Sequence, residues 1–573
     1  MARRSDTLAM DAAVVNGSAP ERNAAIWYAA DGFDPGQHGI NGRRVAGQSF
    51  LHGYAAHAEA DELVALIGTE ADGKAFQTFV ADHAAGRPTR LVSRYFPQRM
   101  TPLGTVYYPS PNYAAEVWRR ARRGQAAYSI CGVTHTTATA AVMQGFYDLR
   151  MAPQAEWDAV ICTSQAVKAS VLYQFGLIED HLKRQFAATL PPRLQLPVIP
   201  LGVTCDDFSP DRTAGAALRA RLGLGPQDVL FATIARLNPN VKFDPLPLYL
   251  AFRAAQTRVR DGRRLHLVMC GVFTEDHSRT VFHNGAQAVL GEGQVTFLDG
   301  ADEVERKATL SAADAFVFAI DNVQETFGLA PIEAMAAGLP LIVSDWDGMK
   351  DTVTSDVGFR VPTRTLTADM TIEEALRYHS GLDGYAQYCG QVASLTEVDL
   401  NDLAGRMVDL AENPDLRTRM GKSGQVRART LYDWSVIVPQ MQDLWAELSA
   451  RRLAGAGGAS RYPAGALPMA PSPMALFSDY PTEQLRFGAE RYVATDPAGR
   501  LTLEALIEVR DFATLKRMVQ TRAHLAAVMA AIEAAGVTGI GHPGLVATCG
   551  LHATQVTRCL MWLRKYGMIR RAG

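Results

Sequence analysis

AFVFAIDNVQETFGLAPIEAMAAGLPLIVSD, residues 315–345, opens on one apolar run and closes on another, each with the length and composition of a strand buried on both faces. The punctuation between them defines a short helix beginning near Gly328. Pro331 suits its first turn, Gly338 suits its C-terminal cap, and Pro340 stops it before the next strand. Strand, helix and strand in so short a space form a crossover between parallel neighbours. The first amides of the helix, at Phe327, Gly328 and Leu329, then point with the positive end of its dipole into the crevice at the carboxyl ends of the strands, where a diphosphate fits. Glu325 lies before this helix and Glu333 along it, so one carboxylate can meet a sugar while the other accepts ribose hydroxyls. Acidic residues at a helix start also stabilise it without any ligand.

Working outward, VLFATIARL (229–237), LHLVMCG (265–271) and QVTFLDG (294–300) are further strands with room for crossover helices, giving a doubly wound domain over 204–422. Arg236 and Lys242 follow its first strand and face the same crevice, a fork and a point charge suited to a diphosphate. Upstream, AAIWYA, DELVALIG, TRLVSRY, GTVYYP, YSICGVTH and AVICTS alternate with amphipathic segments, predicting a first α/β domain over 24–203 behind a flexible N-terminus, 1–23. LPVIPLGV, ending at Val203, leads to the crossing between domains. Residues 423–452 read as a closing helical segment interrupted at Pro439. The Ala-, Gly- and Pro-rich residues 453–473 read as a linker, and 474–573 as a mainly helical, winged-helix-like module with little or no wing.

A chain of 573 residues has room for two large domains plus a smaller unit. A formal charge of −2 gives no general push towards nucleic acid or anionic lipid, so any polyanion contact is local. The seven cysteines show no CxxC or zinc-like spacing and read as reduced structural thiols. No signal-like run follows the basic N-terminus and no stretch reaches the length of a spanning helix, so a cytoplasmic protein is expected, at most peripheral at the inner face of a membrane. Trp118-Arg-Arg-Ala-Arg-Arg123 reads as a solvated helix face, with contact to anionic lipid or acceptor as its functional alternative.

Taken in order, these motifs resemble glycosyltransferase family 4, retaining enzymes of the GT-B fold, in which two Rossmann-like domains face a cleft. Glu325 and Glu333 match the family's glutamate-x7-glutamate, and Arg236-Leu237 and Lys242 match its upstream Arg-Leu and lysine. ICTSQAVK (161–168), VIPLGV (198–203) and SDWDG (344–348) stand where the family has its end-of-domain strand, crossing strand and post-helix loop. Gly39 and Gly42 look like its glycine-rich loop, where backbone approaches donor and acceptor. His135 stands where it often places a histidine near the donor sugar.

The resemblance covers about residues 25–450. It implies transfer with retention from a UDP- or GDP-sugar to a hydroxyl of a glycan, lipid-linked or protein acceptor, with no metal and no further cofactor. Its catalytic set is His135, Arg236, Lys242 and Glu325; its donor-binding set adds Gly39, Gly42, Phe327, Gly328, Leu329 and Glu333. Ala235, Phe243 and GMKD (348–351) depart from the family's pattern and leave donor base and sugar open. So does the segment 363–395, to which no function attaches.

A phosphorylase or sugar-nucleotide epimerase is the rival enzyme reading. The rival of another class is a nucleotide-sugar-sensing regulator whose C-terminal module binds DNA through His552, Thr554, Gln555, Arg558, Arg564, Lys565, Arg570 and Arg571. Nucleic acid is not the expected partner, since Val556, Leu560, Met561 and Leu563 must pack on the same helix; oligomerisation or docking needs only an apolar patch.

Overall fold

The computed structural model describes residues 21–33, 42–84, 86–100, 102–260, 262–459, 462, 466–509 and 521–573. Most of the predicted flexible N-terminus, Gly39, and part of the predicted linker therefore lie outside the described residues.

Two six-stranded sheets dominate residues 1–469. The first comprises β1 (Ala25–Tyr28), β2 (Leu63–Ile67), β3 (Thr89–Ser93), β4 (Thr105–Tyr108), β5 (Ser129–Val133) and β6 (Ala159–Ile161), in the order β3-β2-β1-β4-β5-β6. The second comprises β7 (Val229–Leu237), β8 (Leu265–Phe273), β9 (Val295–Asp299), β10 (Ala315–Phe318), β11 (Leu341–Ser344) and β12 (Gly358–Val361), in the order β12-β11-β10-β7-β8-β9. All pairings within both sheets are parallel. Central strands such as β5 and β10 are buried at every residue, which is why they read as unbroken apolar runs. This is the two-sheet α/β architecture expected from the sequence. The winding reverses between β1 and β4 and between β7 and β10, so crevices open at those carboxyl ends.

Strand β12, Gly-Phe-Arg-Val, was not among the expected strands; it is an edge strand with two of its four residues outside the core. LPVIPLGV does not form a strand. It follows β6 through isolated bridges at Gln195 and Val198, because Pro197 and Pro200 have no N–H to continue a ladder.

The segment after residue 431 also departs from expectation. Helix Trp434–Gly455 runs through Pro439 without a break. One lost hydrogen bond is outweighed by burial of Trp434, Ile437, Val438, Met441, Leu444, Trp445 and Leu448 against the first sheet, so this helix completes the first domain's core rather than the second's. The two crossings between the domains meet here, where Val203 N–H donates to Tyr432 O (2.9 Å) and Trp434 N–H to Val203 O (3.1 Å). A Cβ added at Gly53 would stand 2.3 Å from the Trp434 ring. Gly53→Ala should therefore destabilise the first domain by about 1–3 kcal/mol through overpacking, read as a lowered unfolding midpoint.

Nor is the arginine cluster a simple solvated face. On helix Ala114–Ala121, Arg119 turns outward to Glu116, but Arg120 and Asp158 are both 0% exposed. Arg120 Nη2 reaches Asp158 Oδ2 at 2.7 Å and Nη1 donates to Tyr128 O at 2.8 Å, while Asp158 also accepts the amides of Ile130 and Ala155.

Residues 470–573 form a separate compact unit. Helices Arg522–Ala534, His542–Cys549 and Ala553–Lys565 enclose Leu525, Val528, Ile532, Leu545, Val556, Cys559, Leu560 and Leu563. Gly550 and Gly567, both at positive φ, end the last two helices. The sequence reading missed the sheet beside them, in which β15 (Arg491–Ala494) pairs antiparallel with β16 (Ile540–Gly541) and β17 (Ile569–Arg571), following an earlier ribbon of β13 (Thr363–Thr365) and β14 (Thr396–Val398) in the first unit. His552 and Gln555 cap their own helix and Arg571 pairs with Glu490, so part of the polar set proposed for DNA is engaged internally. All seven cysteines are unbridged, and among the described residues no helix is long and apolar enough to cross a membrane.

Candidate functional site

Arg236 is the penultimate residue of β7, and the loop behind it is shaped by Asn238. The Asn238 Oδ1 accepts the amides of Asn240 (2.9 Å) and Val241 (3.0 Å), and its Nδ2 donates to Thr274 Oγ1 (2.8 Å). This side-chain turn folds the loop back and brings Lys242 over the Phe318 ring at the end of β10, 5.1 Å from its centroid. There Lys242 forms an ion pair with Glu325, both side chains being less than one-fifth exposed. Arg236 Nη2 donates to Gln324 Oε1 at 2.7 Å. The β7 and β10 loops thus bring Arg236, Lys242 and Glu325 together at the reversal point of the second sheet.

Helix Leu329–Ala336 starts after Gly328 at φ 86°. Its end is a left-handed cap, with Gly338 N–H donating to Met335 O (2.9 Å) and Leu339 N–H to Ala334 O (3.0 Å). The start differs from the expectation of open amides. Glu325 Oε1 accepts Gly328 N–H at 3.1 Å and Thr326 N–H at 3.4 Å, so the glutamate itself occupies part of the helix terminus. Burial alone would raise the Glu325 pKa, but the Lys242 charge and hydrogen bond, with these two amides, outweigh it and hold the carboxyl below its ordinary value. Glu325 is therefore a fixed anion. Phe327 serves the core, 2% exposed.

The first domain closes on this loop. Thr326 Oγ1 donates to the main-chain oxygen of His135, just beyond β5, and Thr163 Oγ1 donates to Thr326 O at 3.3 Å. The His135 residue also borders a cavity with Gly47, Pro109 and Trp434. Helix Gln165–Phe186 aims its N-terminus across the cleft. Ser164, its cap, donates to Asp347 Oδ1 (3.2 Å), and Gln165 N–H donates to Asp351 Oδ2 (2.7 Å). Gly42 lies in helix Gly42–His57 rather than in a loop.

Asp347 has φ 45°, a left-handed conformation that aspartate and asparagine tolerate best among residues with a Cβ. Burial pushes its pKa up to about 8, aided by the nearby Glu325 charge and opposed by the Gly348 amide and Ser164. A folded-state pKa above the unfolded value of about 4 means that stability is lost as pH rises from about 4 towards 8. Asp347→Asn removes this loss and keeps the backbone preference. The melting temperature of the variant should rise relative to the parent between pH 5 and pH 8; an unchanged difference across that range would count against the assignment.

Glu333 lies on the other side of the short helix and borders a second cavity with Arg306, Ile234, Asp207 and Phe208. Its pKa is raised by burial and pulled back by Arg306 and Lys242. Glu325 and Glu333 thus serve different spaces. Sequence reading missed Arg306, although its place in the first turn of helix Glu303–Ala312, after β9, is a usable signal. It also missed Gln324, Ser164 and Asp347, whose roles depend on partners far away in the chain.

Residues 216–378 match the family described as Glycosyl transferases group 1. A GDP-mannose-dependent alpha-(1-6)-phosphatidylinositol monomannoside mannosyltransferase from Mycobacterium tuberculosis is 31% identical over 199 residues, 33% of this chain and 49% of that protein. The chain thus spans about half the length of that relative. A D-inositol 3-phosphate glycosyltransferase from Corynebacterium glutamicum is 26% identical over 318 residues, 54% of this chain and 65% of that one. Among solved structures, a sucrose-phosphate synthase from Thermosynechococcus elongatus has 18% identity, covering 75% of this chain and 99% of its own, with a TM-score of 0.45. Anabaena HepE in complex with UDP-glucose has 15% identity, 74% and 99% coverage and a TM-score of 0.45.

Proposed function

We propose that the chain is a glycosyltransferase moving a sugar, with retention, from a nucleotide diphosphate sugar to an acceptor hydroxyl, in the manner of glycosyltransferase family 4. The observation that carries this reading is the convergence of Arg236, Lys242 and Glu325 with the start of helix Leu329–Ala336 at the reversal point of the second sheet. Two cations stabilise the negative charge that develops on a departing diphosphate, beside a helix N-terminus of which Glu325 leaves only a part open. Glu325, kept anionic, orients Lys242 and offers a hydroxyl acceptor to the sugar. Glu333 beside Arg306 is suited to ribose hydroxyls and base. His135, across the cleft, faces the sugar, and the acceptor is held by residues 24–203.

The match over 216–378 supports the same assignment. The relatives use, by their names, GDP-mannose with a phosphatidylinositol mannoside and inositol 3-phosphate. GDP-mannose is therefore the first donor to test, with UDP-sugars beside it, and inositol-type polyols, free and lipid-linked, are the first acceptors. Residues 474–573 are read as a winged-helix-like docking module in a cytoplasmic protein.

Thermal stabilisation and product formation should be measured with UDP- and GDP-sugars. Stabilisation by one donor, with binding weakened by about 10- to 100-fold in Glu333→Ala as one hydrogen bond to a charged group is lost, is the expected result. No response to any donor would remove the transferase reading.

A further inference from the structure

Between Asp82 and Asp148 the chain carries eight arginines and one acidic residue, Glu116, in a protein whose formal charge is −2. Half of these arginines serve the fold. Arg90 pairs with Glu62, Arg119 with Glu116 and Arg120 with Asp158, while Arg87 donates to Ala58 O. Arg94, Arg99 and Arg123 differ, since among the described residues none of them pairs with a carboxylate. Each is held by a neutral group instead. The Arg94 guanidinium lies over the Trp27 ring, 4.7 Å from its centroid, and Arg99 lies over the Phe96 ring at 5.1 Å. Arg123 Nη2 donates to Tyr95 O at 3.2 Å.

These contacts gather one surface. Arg94 follows β3 directly and Pro97–Met100 is a single helical turn, so Arg94, Tyr95, Phe96 and Arg99 are neighbours. The Arg123 bond brings the end of helix Ala114–Ala121 against them. Arg99, Arg122 and Arg123 are exposed, and Tyr95 and Phe96 are 63% and 47% exposed. One partner answers both the charge and the rings. A guanidinium resting on a ring keeps its N–H edge for phosphate oxygens, and an exposed aromatic ring is best placed where one side is apolar and the other wet. Trp27 belongs to β1, at whose carboxyl end the crevice of the first domain opens.

We propose that Arg94, Tyr95, Phe96 and Arg99, with Arg122 and Arg123, form a docking surface for an anionic membrane, set beside the first domain's crevice. Phosphate headgroups meet the arginines and the two rings enter the headgroup layer. Docking stands on this surface alone; that it presents a lipid-linked acceptor to the first domain rests on the glycosyl-transfer reading.

Co-sedimentation of the full chain with mixed phosphatidylcholine–phosphatidylglycerol vesicles, and with phosphatidylcholine vesicles alone, tests this with neither donor nor acceptor present. Binding is expected to the mixed vesicles only, and it should fall as salt rises, because exposed charges are screened. Arg99→Ala with Arg123→Ala should weaken it by about 30-fold, the contribution of two arginines near an anionic surface, with the melting temperature unchanged. Arg99→Lys with Arg123→Lys keeps both charges and should retain most of the binding, which separates lost attraction from lost folding. Phe96→Ser should weaken docking and leave its salt dependence as in the parent. Equal binding to both kinds of vesicle, binding to neither, or parent-like affinity in the alanine variant would overturn the proposal. So would capture of a single-stranded RNA in preference to the mixed vesicles. A chain that docks and transfers no sugar would remove the glycosyl-transfer reading and leave the docking surface standing.

Discussion

Lys242→Ala should lower turnover of the nucleotide sugar by about 100- to 1,000-fold, the range found when one preorganised donor to a developing charge is removed. It should also cost stability. Lys242 and Glu325 are a nearly buried pair, and removing one member leaves the other charge uncompensated, a loss of about 3–5 kcal/mol. The sign with pH distinguishes this from generic damage. In the parent, attraction to Lys242 defeats burial and lowers the Glu325 pKa, so the pair contributes stability above the unfolded value of about 4.5 that fades as pH falls through the folded one. Without Lys242, burial raises that pKa instead, and the variant recovers against the parent as pH falls. Glu325→Gln added to Lys242→Ala should restore stability at neutral pH and leave turnover low. Turnover within threefold of the parent in Lys242→Ala would remove this lysine from the mechanism.

Arg120→Met should be the most damaging change far from the cleft. With both partners at 0% exposure, burial alone would weaken the arginine's hold on its proton, yet Asp158 reverses the direction and keeps the guanidinium charged. Losing it strands an aspartate that also ties the amide of Ile130 in β5 and that of Ala155. About 3–5 kcal/mol is expected, concentrated in the first domain. Because a chain with several domains need not unfold in one step, the test is hydrogen exchange or proteolysis resolved by segment. Protection should fall across β4–β6 and stay unchanged across β7–β11. Asp158→Asn should be milder, since it keeps an acceptor for one amide. A uniform loss over both sheets, or none, would contradict this account.

The contrast between these two sites explains what could be read from the sequence. That Arg236, Lys242 and Glu325 meet was legible because strand ends and a short punctuated helix are local features, and a parallel sheet brings strand ends together by its topology alone; that Glu333 faces another space was not. Arg120 was misread because nothing local distinguishes it from Arg119; its partner is 38 positions away, and only the inward turn of one helix face separates the two. β12 escaped for a similar reason, its four residues acquiring meaning only beside β11. Pro439 suggested an interruption because its cost is local, whereas the burial that overcomes it comes from a sheet made by the start of the chain. No role could be read for residues 363–395, since their place in the fold depends on contacts with Asn240, Asn322 and Ala140, distant in the chain.

The return of helix Trp434–Gly455 to the first sheet sets an order on synthesis. A nascent chain emerging from the ribosome completes β1–β6 long before it holds Trp434 and Trp445, and the whole second sheet is translated in between. The first domain must therefore wait, with Phe50, Tyr54 and their neighbours on one face of its sheet only partly covered, while the domain made later has all its own strands in hand. Vectorial production thus reverses the expected sequence of maturation: the part made first is finished last, and a chaperone that recognises exposed apolar surface would find its target on the amino-terminal half.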